Sequence, residues 1–180
     1  MNEYANYFEY CVEAKPEGTL KVKRILLIVL YILFPILLFS VLCMLRLYVL
    51  GCFLVLLTAM LCFFTWRFVQ IEYEYCVVKG EMTFSKIYGR KSRREFLSVR
   101  IQDMSLLAPY TDNFKIRADS VKNKYFAVST MKSPDIYVGI FKDAGTKEES
   151  CIFFEATAKF VRLAKFYNSS ITHENPDLRY

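Results

Sequence analysis

Hydrophobic positions along this chain change period in succession, and each change marks a boundary. From Ile25 to Trp66 there is no period, because apolar residues are continuous and Arg46 is the only charged side chain. From Gln70 the pattern is alternation, with Ile71, Tyr73, Tyr75 and Val77 on one face and Glu72, Glu74, Cys76 and Val78 on the other, as in a half-buried strand. Near the C-terminus, Ala158, Phe160, Val161, Leu163, Ala164 and Phe166 or Tyr167 recur at helical spacing, while Lys159, Arg162 and Lys165 turn outward.

A single helix over the apolar run would extend roughly 63 Å at about 1.5 Å per residue, twice the roughly 30 Å hydrocarbon core of a bilayer. The run therefore predicts two spans, Leu20 to Leu45 and Tyr48 to Phe68, broken between Arg46 and Gly51. A charge costs about 2.5 to 3.5 kcal/mol at the bilayer centre and little at headgroup level, so Arg46 belongs at the turn. Pro35 removes a backbone donor within the first span and should kink it. Lys21, Lys23 and Arg24 precede the hairpin, and Trp66 and Arg67 close it, whereas Arg46 alone marks its tip. These residues are the expected interface anchors. The positive-inside rule then makes the protein a two-span cell-membrane protein with both termini cytoplasmic. A cleaved signal peptide fits poorly, since the run is too long and lacks a small-residue cleavage site after a short apolar core.

The remaining length divides around this hairpin. Residues 1–19 carry Tyr4, Tyr7, Phe8, Cys11 and Val12 at helical spacing, which predicts a short amphipathic helix or, equally, a partly ordered tail. Residues 20–68 form the hairpin, 69–169 a β-rich domain, and 170–180 a polar, frayed tail. Within the domain, Lys79 and Gly80 turn the first strand into a second through Met82 and Phe84. Gly89 to Arg94 reads as a basic turn, Leu97 to Ile101 as a third strand, and Ser105 to Asp112 as a loop around Pro109. Asn113 to Val121 reads as a short strand or irregular crossing. Further strands are expected at Lys124 to Thr130, Ile136 to Lys142 and Ser150 to Glu155, before a helix capped by Thr157.

Net charge is +6, with most of the excess in the segments assigned to the cytoplasm. That balance suits a domain held at an anionic leaflet, where each nearby Lys or Arg contributes about 1 kcal/mol; nucleic-acid binding is a less economical account and is not expected. The six cysteines show no CxxC spacing and read as free thiols in a reducing compartment.

The meander of about seven strands followed by one amphipathic helix resembles the pleckstrin-homology superfold. The stretch Ile71 to Met104 is similar to the opening of bacterial PH-like domains in small membrane proteins with an N-terminal two-helix transmembrane hairpin. Tyr73, Tyr75, Gly80, Arg90, Arg93, Arg94, Val99, Arg100 and Ile101 carry the match. The resemblance implies a membrane α-helical hairpin plus an α+β domain: a bent sandwich or barrel of antiparallel strands closed by the C-terminal helix. It implies a fold and a location more than an activity. The length and polarity of Ala108 to Asn123 depart from a standard domain of this kind.

Catalytic signatures are absent. The chain has no GxSxG, HExxH, GxxxxGK[ST] or GxGxxG, and its one histidine, His173, lies in the polar tail without partners at metal-ligand spacing. No enzyme activity, metal or cofactor is expected. The most specific charged feature is the basic turn, where Arg90, Lys91, Arg93 and Arg94 are interrupted only by Ser92. Arg offers a planar fork to phosphate oxygens, so the turn suits lipid phosphates or an acidic partner; the simpler account is a solvated hairpin tip whose charges guard against edge-to-edge aggregation. In familiar lipid-binding members of the superfold the pocket lies between the first two strands, where this chain has only Lys79 and Gly80. The sequence therefore favours a non-enzymatic scaffold that presents the domain to another membrane or cytoplasmic protein, or to a second copy of itself. Anionic lipid headgroup binding by the basic turn is the alternative, and a small oligomeric pore or transporter accessory subunit is a third reading.

Overall fold

Both apolar spans are helical in the computed structural model, which describes residues 7–15, 18–66, 69–143, 145, 147–175 and 178. Helix α1 runs Gly18–Met44 and α2 runs Tyr48–Trp66. Each is long and apolar enough to cross a bilayer, and very few side chains in either are buried, unlike the helices of a globular core. The break between them is a Schellman motif. Arg46 adopts φ +59°, its N–H donates to Cys43 O at 3.0 Å, and the Leu47 N–H donates to Leu42 O at 2.9 Å. Gly51 lies inside α2, within the expected second span. A Cβ there would meet Phe39 Cδ2 at 3.2 Å and Leu42 Cβ at 3.6 Å, so glycine lets the two helices approach. At the opposite end of this seam the hydroxyls of Tyr31 and Thr65 share a hydrogen bond.

The chain forms two compact units: Lys15–Ile71 with Tyr88–Ser92, and Met1–Ala14 with Glu72–Ile87 and Arg93–Tyr180. In the second, a four-stranded sheet has the order β1-β2-β3-β4, from Tyr7–Glu13, Ile71–Val78, Glu81–Tyr88 and Ser92–Arg100. A 3₁₀ turn, Ile101–Asp103, leads into another sheet of order β5-β7-β8-β6, from Met104–Pro109, Ile136–Lys142, Glu149–Glu155 and Asn123–Ala127. Helix α3, Asp112–Ser120, links β5 to β6, and α4, Ala158–Tyr167, follows β8.

Residues 7–13 correct the helical expectation for the N-terminal segment. They form β1, antiparallel to β2 with Tyr7 opposite Val78 and Glu13 opposite Glu72. Phe8 is buried on one face while Tyr7, Glu9 and Cys11 lie on the other, so a period of two wins over the weaker helical spacing once a partner strand supplies the hydrogen bonds. The strands on either side of the helical pair in sequence are thus direct neighbours in a sheet.

The Ser105–Asp112 loop is also corrected. Met104–Pro109 is a buried strand, with proline admitted as its last residue, where no further ladder donor is needed. Asn113 to Val121 is neither strand nor irregular crossing but α3. Its Ala118 packs with Leu106, Val121, Val128, Val138, Cys151 and Phe153, with Phe114 and Tyr110 alongside. The basic turn is shorter than expected, since β4 already begins at Ser92.

Two hydrophobic clusters result. One joins the sheets and α4: Tyr75, Phe84, Phe154 and Phe160 are essentially fully buried, with ring centroids 5.1 to 5.9 Å apart from one to the next. The other is the α3 cluster. Strands β7 and β8 therefore contribute to cores on both faces, which is why their sequences read as nearly continuous apolar runs. The Thr157 side chain accepts from Phe160 N–H at 3.4 Å and caps α4 as expected.

The barrel and the all-antiparallel arrangement are corrected too. The sheets are not closed into a barrel, and β6 pairs parallel to β8 because α3 carries the chain from β5 at one edge to β6 at the other. Nor is the tail frayed throughout. Residues 171–173 lie along β5, with Leu107 N–H donating to Ile171 O at 3.0 Å and His173 N–H donating to Leu107 O at 2.8 Å.

Candidate functional site

The polar end of the helical unit gathers most of its distinctive side chains. Helix α1 opens with the exposed cations Lys21 and Lys23, and the Arg24 guanidinium lies 5.6 Å from the centroid of the Trp66 ring at the end of α2. Such a cation over an indole face is held by the ring quadrupole. Arg67 lies outside the described residues. Arg46 stands at the other end of both helices, in the Schellman turn.

The β3–β4 turn belongs to this same unit. Gly89 and Arg90 both take positive φ, +54° and +59°, which reverses the chain within a few residues. The Gly89 N–H donates to Gln70 O at 2.9 Å and the Lys91 N–H to Tyr88 O at 3.2 Å. Lys91 thereby lines a cleft of about 480 Å³ with Trp66, Phe63, Tyr31 and Gln70. Half of its lining residues are aromatic, and among the described residues no carboxylate contributes to it, so the cleft offers a cation beside apolar surface.

Arg93 and Arg94 are placed differently. Both project from β4, on opposite faces because neighbouring strand residues alternate. Arg93 Nε lies 2.9 Å from Glu74 Oε2, and its N–H points to Ser85 Oγ at 3.4 Å. Glu74 is buried, with 7% of its side chain exposed. Burial first, then a hydrogen bond with Glu9, holds the Glu74 carboxyl above the usual carboxylate range against the pull of Arg93. Hydrogen bonds from Tyr7 and Glu74 hold the Glu9 carboxyl below that range, so of the two acids Glu74 takes up a proton first as pH falls. The bond to Glu9 pushes the Tyr7 hydroxyl up to about 12. Arg93 thus neutralises a buried acid, a role unlike that of Lys91.

The expected cluster of Arg90, Lys91, Arg93 and Arg94 is therefore divided: Arg90 and Lys91 lie in the helical unit, and Arg93 and Arg94 in the β unit. Lys86 was missed by the sequence reading; its ammonium lies 5.6 Å from the Tyr73 ring and 5.2 Å from the Phe96 ring. The apolar neighbours at alternate strand positions were the available signal. Gln70 and Tyr31 gave none, because their place at the cleft depends on contacts far apart in sequence.

The turn between β2 and β3 is tight. Lys79 and Gly80 take φ +52° and +84°, as a tight two-residue hairpin requires, and a Cβ on Gly80 would fall 2.8 Å from the Tyr167 ring. The Ile101 N–H also donates to Gly80 O at 2.9 Å. Among the described residues no group of three His, Cys, Asp or Glu side chains is placed to hold a metal ion. All six cysteines are free thiols.

The family model described as Bacterial PH-like domain (DUF6106) matches residues 3–172. No curated protein matches the chain, and no solved structure does.

Proposed function

The chain belongs to this bacterial PH-like family, and we propose that it is a non-catalytic membrane-anchored module that engages anionic lipid headgroups at the cytoplasmic leaflet. The observation that carries the reading is the placement of Lys91 in an aromatic-walled cleft beside Trp66, with Arg24 over the Trp66 ring. Two bilayer-length helices end here, and tryptophan and cations are the residues favoured at the headgroup layer. The opposite end carries only Arg46, so the charge asymmetry supports cytoplasmic termini.

Trp66 is the only tryptophan in the chain and reports on the cleft directly. In nanodiscs of phosphatidylcholine, substituting phosphatidylglycerol should shift Trp66 emission, and salt should reverse the shift. Lys91→Ala should weaken the response. Emission indifferent to lipid charge contradicts the proposal.

A scaffold role is supported by a separate feature, the position of β4 at the end of its sheet. An extended segment of a protein partner would add there as a further strand. Crosslinking from Glu95 to a partner chain in native membranes is its test, and recovery of lipid adducts alone contradicts it.

A further inference from the structure

A smaller cavity of about 260 Å³ continues from the Lys91 cleft between the two helices. Tyr31 and Cys62 line both, and beyond them the wall is Leu30, Phe34, Pro35 and Leu61, almost wholly apolar. The polar atoms near this junction are turned elsewhere. The Tyr31 and Thr65 hydroxyls bond to each other, and the Thr58 hydroxyl donates to Val55 O at 2.8 Å. From Trp66 to Thr58 the groove follows α2 for about 12 Å at roughly 1.5 Å per residue. That approaches the depth of one leaflet, half of a hydrocarbon core of roughly 30 Å.

We infer that the two cavities form one site for a single anionic phospholipid, with its phosphate at Lys91 and one acyl chain in the groove past Pro35. This rests on the headgroup reading above and adds the chain-binding half. Charge selects the occupant: Lys91 lines the outer cleft, Arg24 lies across the Trp66 ring, and among the described residues neither cavity has an acidic lining residue. A transmembrane helix from a second copy would fill the groove but leave Lys91 facing no anion. A zwitterionic lipid would fill the groove while gaining less at the cation.

The test is native mass spectrometry of the full chain, delipidated in detergent and offered phosphatidylglycerol or phosphatidylcholine with matched acyl chains. One phosphatidylglycerol per chain should be retained, with about a tenfold preference over phosphatidylcholine. Lys91→Glu should abolish the preference. Thr58→Phe, which fills the groove, should lower retention of both lipids. In the unsubstituted protein, phosphatidylglycerol bearing a photoactivatable acyl chain should label Leu30–Pro35 or Thr58–Cys62. Equal retention of both lipids by the unsubstituted chain overturns this inference and the headgroup reading together. Preference sensitive to Lys91→Glu but not to Thr58→Phe, or labelling spread evenly around both helices, overturns the chain-binding half alone. So does a dimer that Thr58→Phe dissociates.

Discussion

Leu33 and Phe154 are both large apolar residues in regular secondary structure, yet Leu33 is 54% exposed and Phe154 is fully buried. The contrast extends to their regions. In α1 and α2 nearly every apolar side chain faces outward and only a thin seam, marked by Gly51 and the Tyr31–Thr65 bond, joins the helices. In β7 and β8 nearly every apolar side chain is enclosed by protein. Similar composition is therefore enclosed by protein in one region and left exposed in the other. The β unit stabilises itself by removing apolar surface from water, whereas the helical pair, long and apolar enough to cross a bilayer, leaves most of its apolar surface uncovered by protein.

The sharpest way to break this contrast is to truncate one residue in each region. Phe154→Ala should cost about 3–5 kcal/mol of domain stability, and Leu33→Ala should leave that stability unchanged, as read by denaturant unfolding of the β unit in detergent. Comparable losses would show that the helices share the domain's core.

The next largest effect separates the cations of the basic segment. Arg93→Ala strands the buried Glu74 carboxyl and should cost about 1–3 kcal/mol. Lys91→Ala should stay within about 0.5 kcal/mol by the same measurement, because it removes no buried partner. Thr157→Ala, which deletes the α4 cap, should cost about 1 kcal/mol and mark the β unit's reliance on its own hydrogen bonds.

Smallest is a pH effect. The folded state holds the Glu74 proton more tightly than the unfolded chain does, so that stabilisation is present at low pH and is lost as pH rises through the raised Glu74 value. Glu9 acts oppositely, its contribution fading as pH falls through its lowered value. Glu74→Gln removes the Glu74 contribution. Its melting temperature should gain on the unsubstituted protein as pH rises above about 4.5, the ordinary carboxylate value. A pH-independent difference would contradict the raised Glu74 value.

Elements with one strong local period were legible in the sequence. The Schellman turn at Arg46, the β2–β3 hairpin, β7, β8 and α4 all fall close to their expected places. What was not legible depended on partners distant in sequence. Residues 7–13 become a strand because β2 lies beside them, and Met104–Pro109 because β7 does. Helix α3 has a weak apolar face, since Phe114 and Ala118 alone meet the core beneath it. The basic segment was visible as a charge run, but its division depended on Glu74 opposite Arg93 and on Trp66 near Lys91. Those pairings have no signature in local spacing.

Glu13 and Glu72 face each other across β1 and β2, so the helical pair can be replaced by a two-residue turn without altering that register. Carbonate washing of membranes from cells expressing the full chain, or a variant with residues 14–71 replaced by Asn-Gly, measures directly which region holds the protein in lipid. The full chain should remain in the membrane pellet, and the variant should appear in the supernatant with a β-rich circular dichroism spectrum and cooperative unfolding. Release of the full chain by carbonate, or retention of the variant in the pellet, would contradict the account.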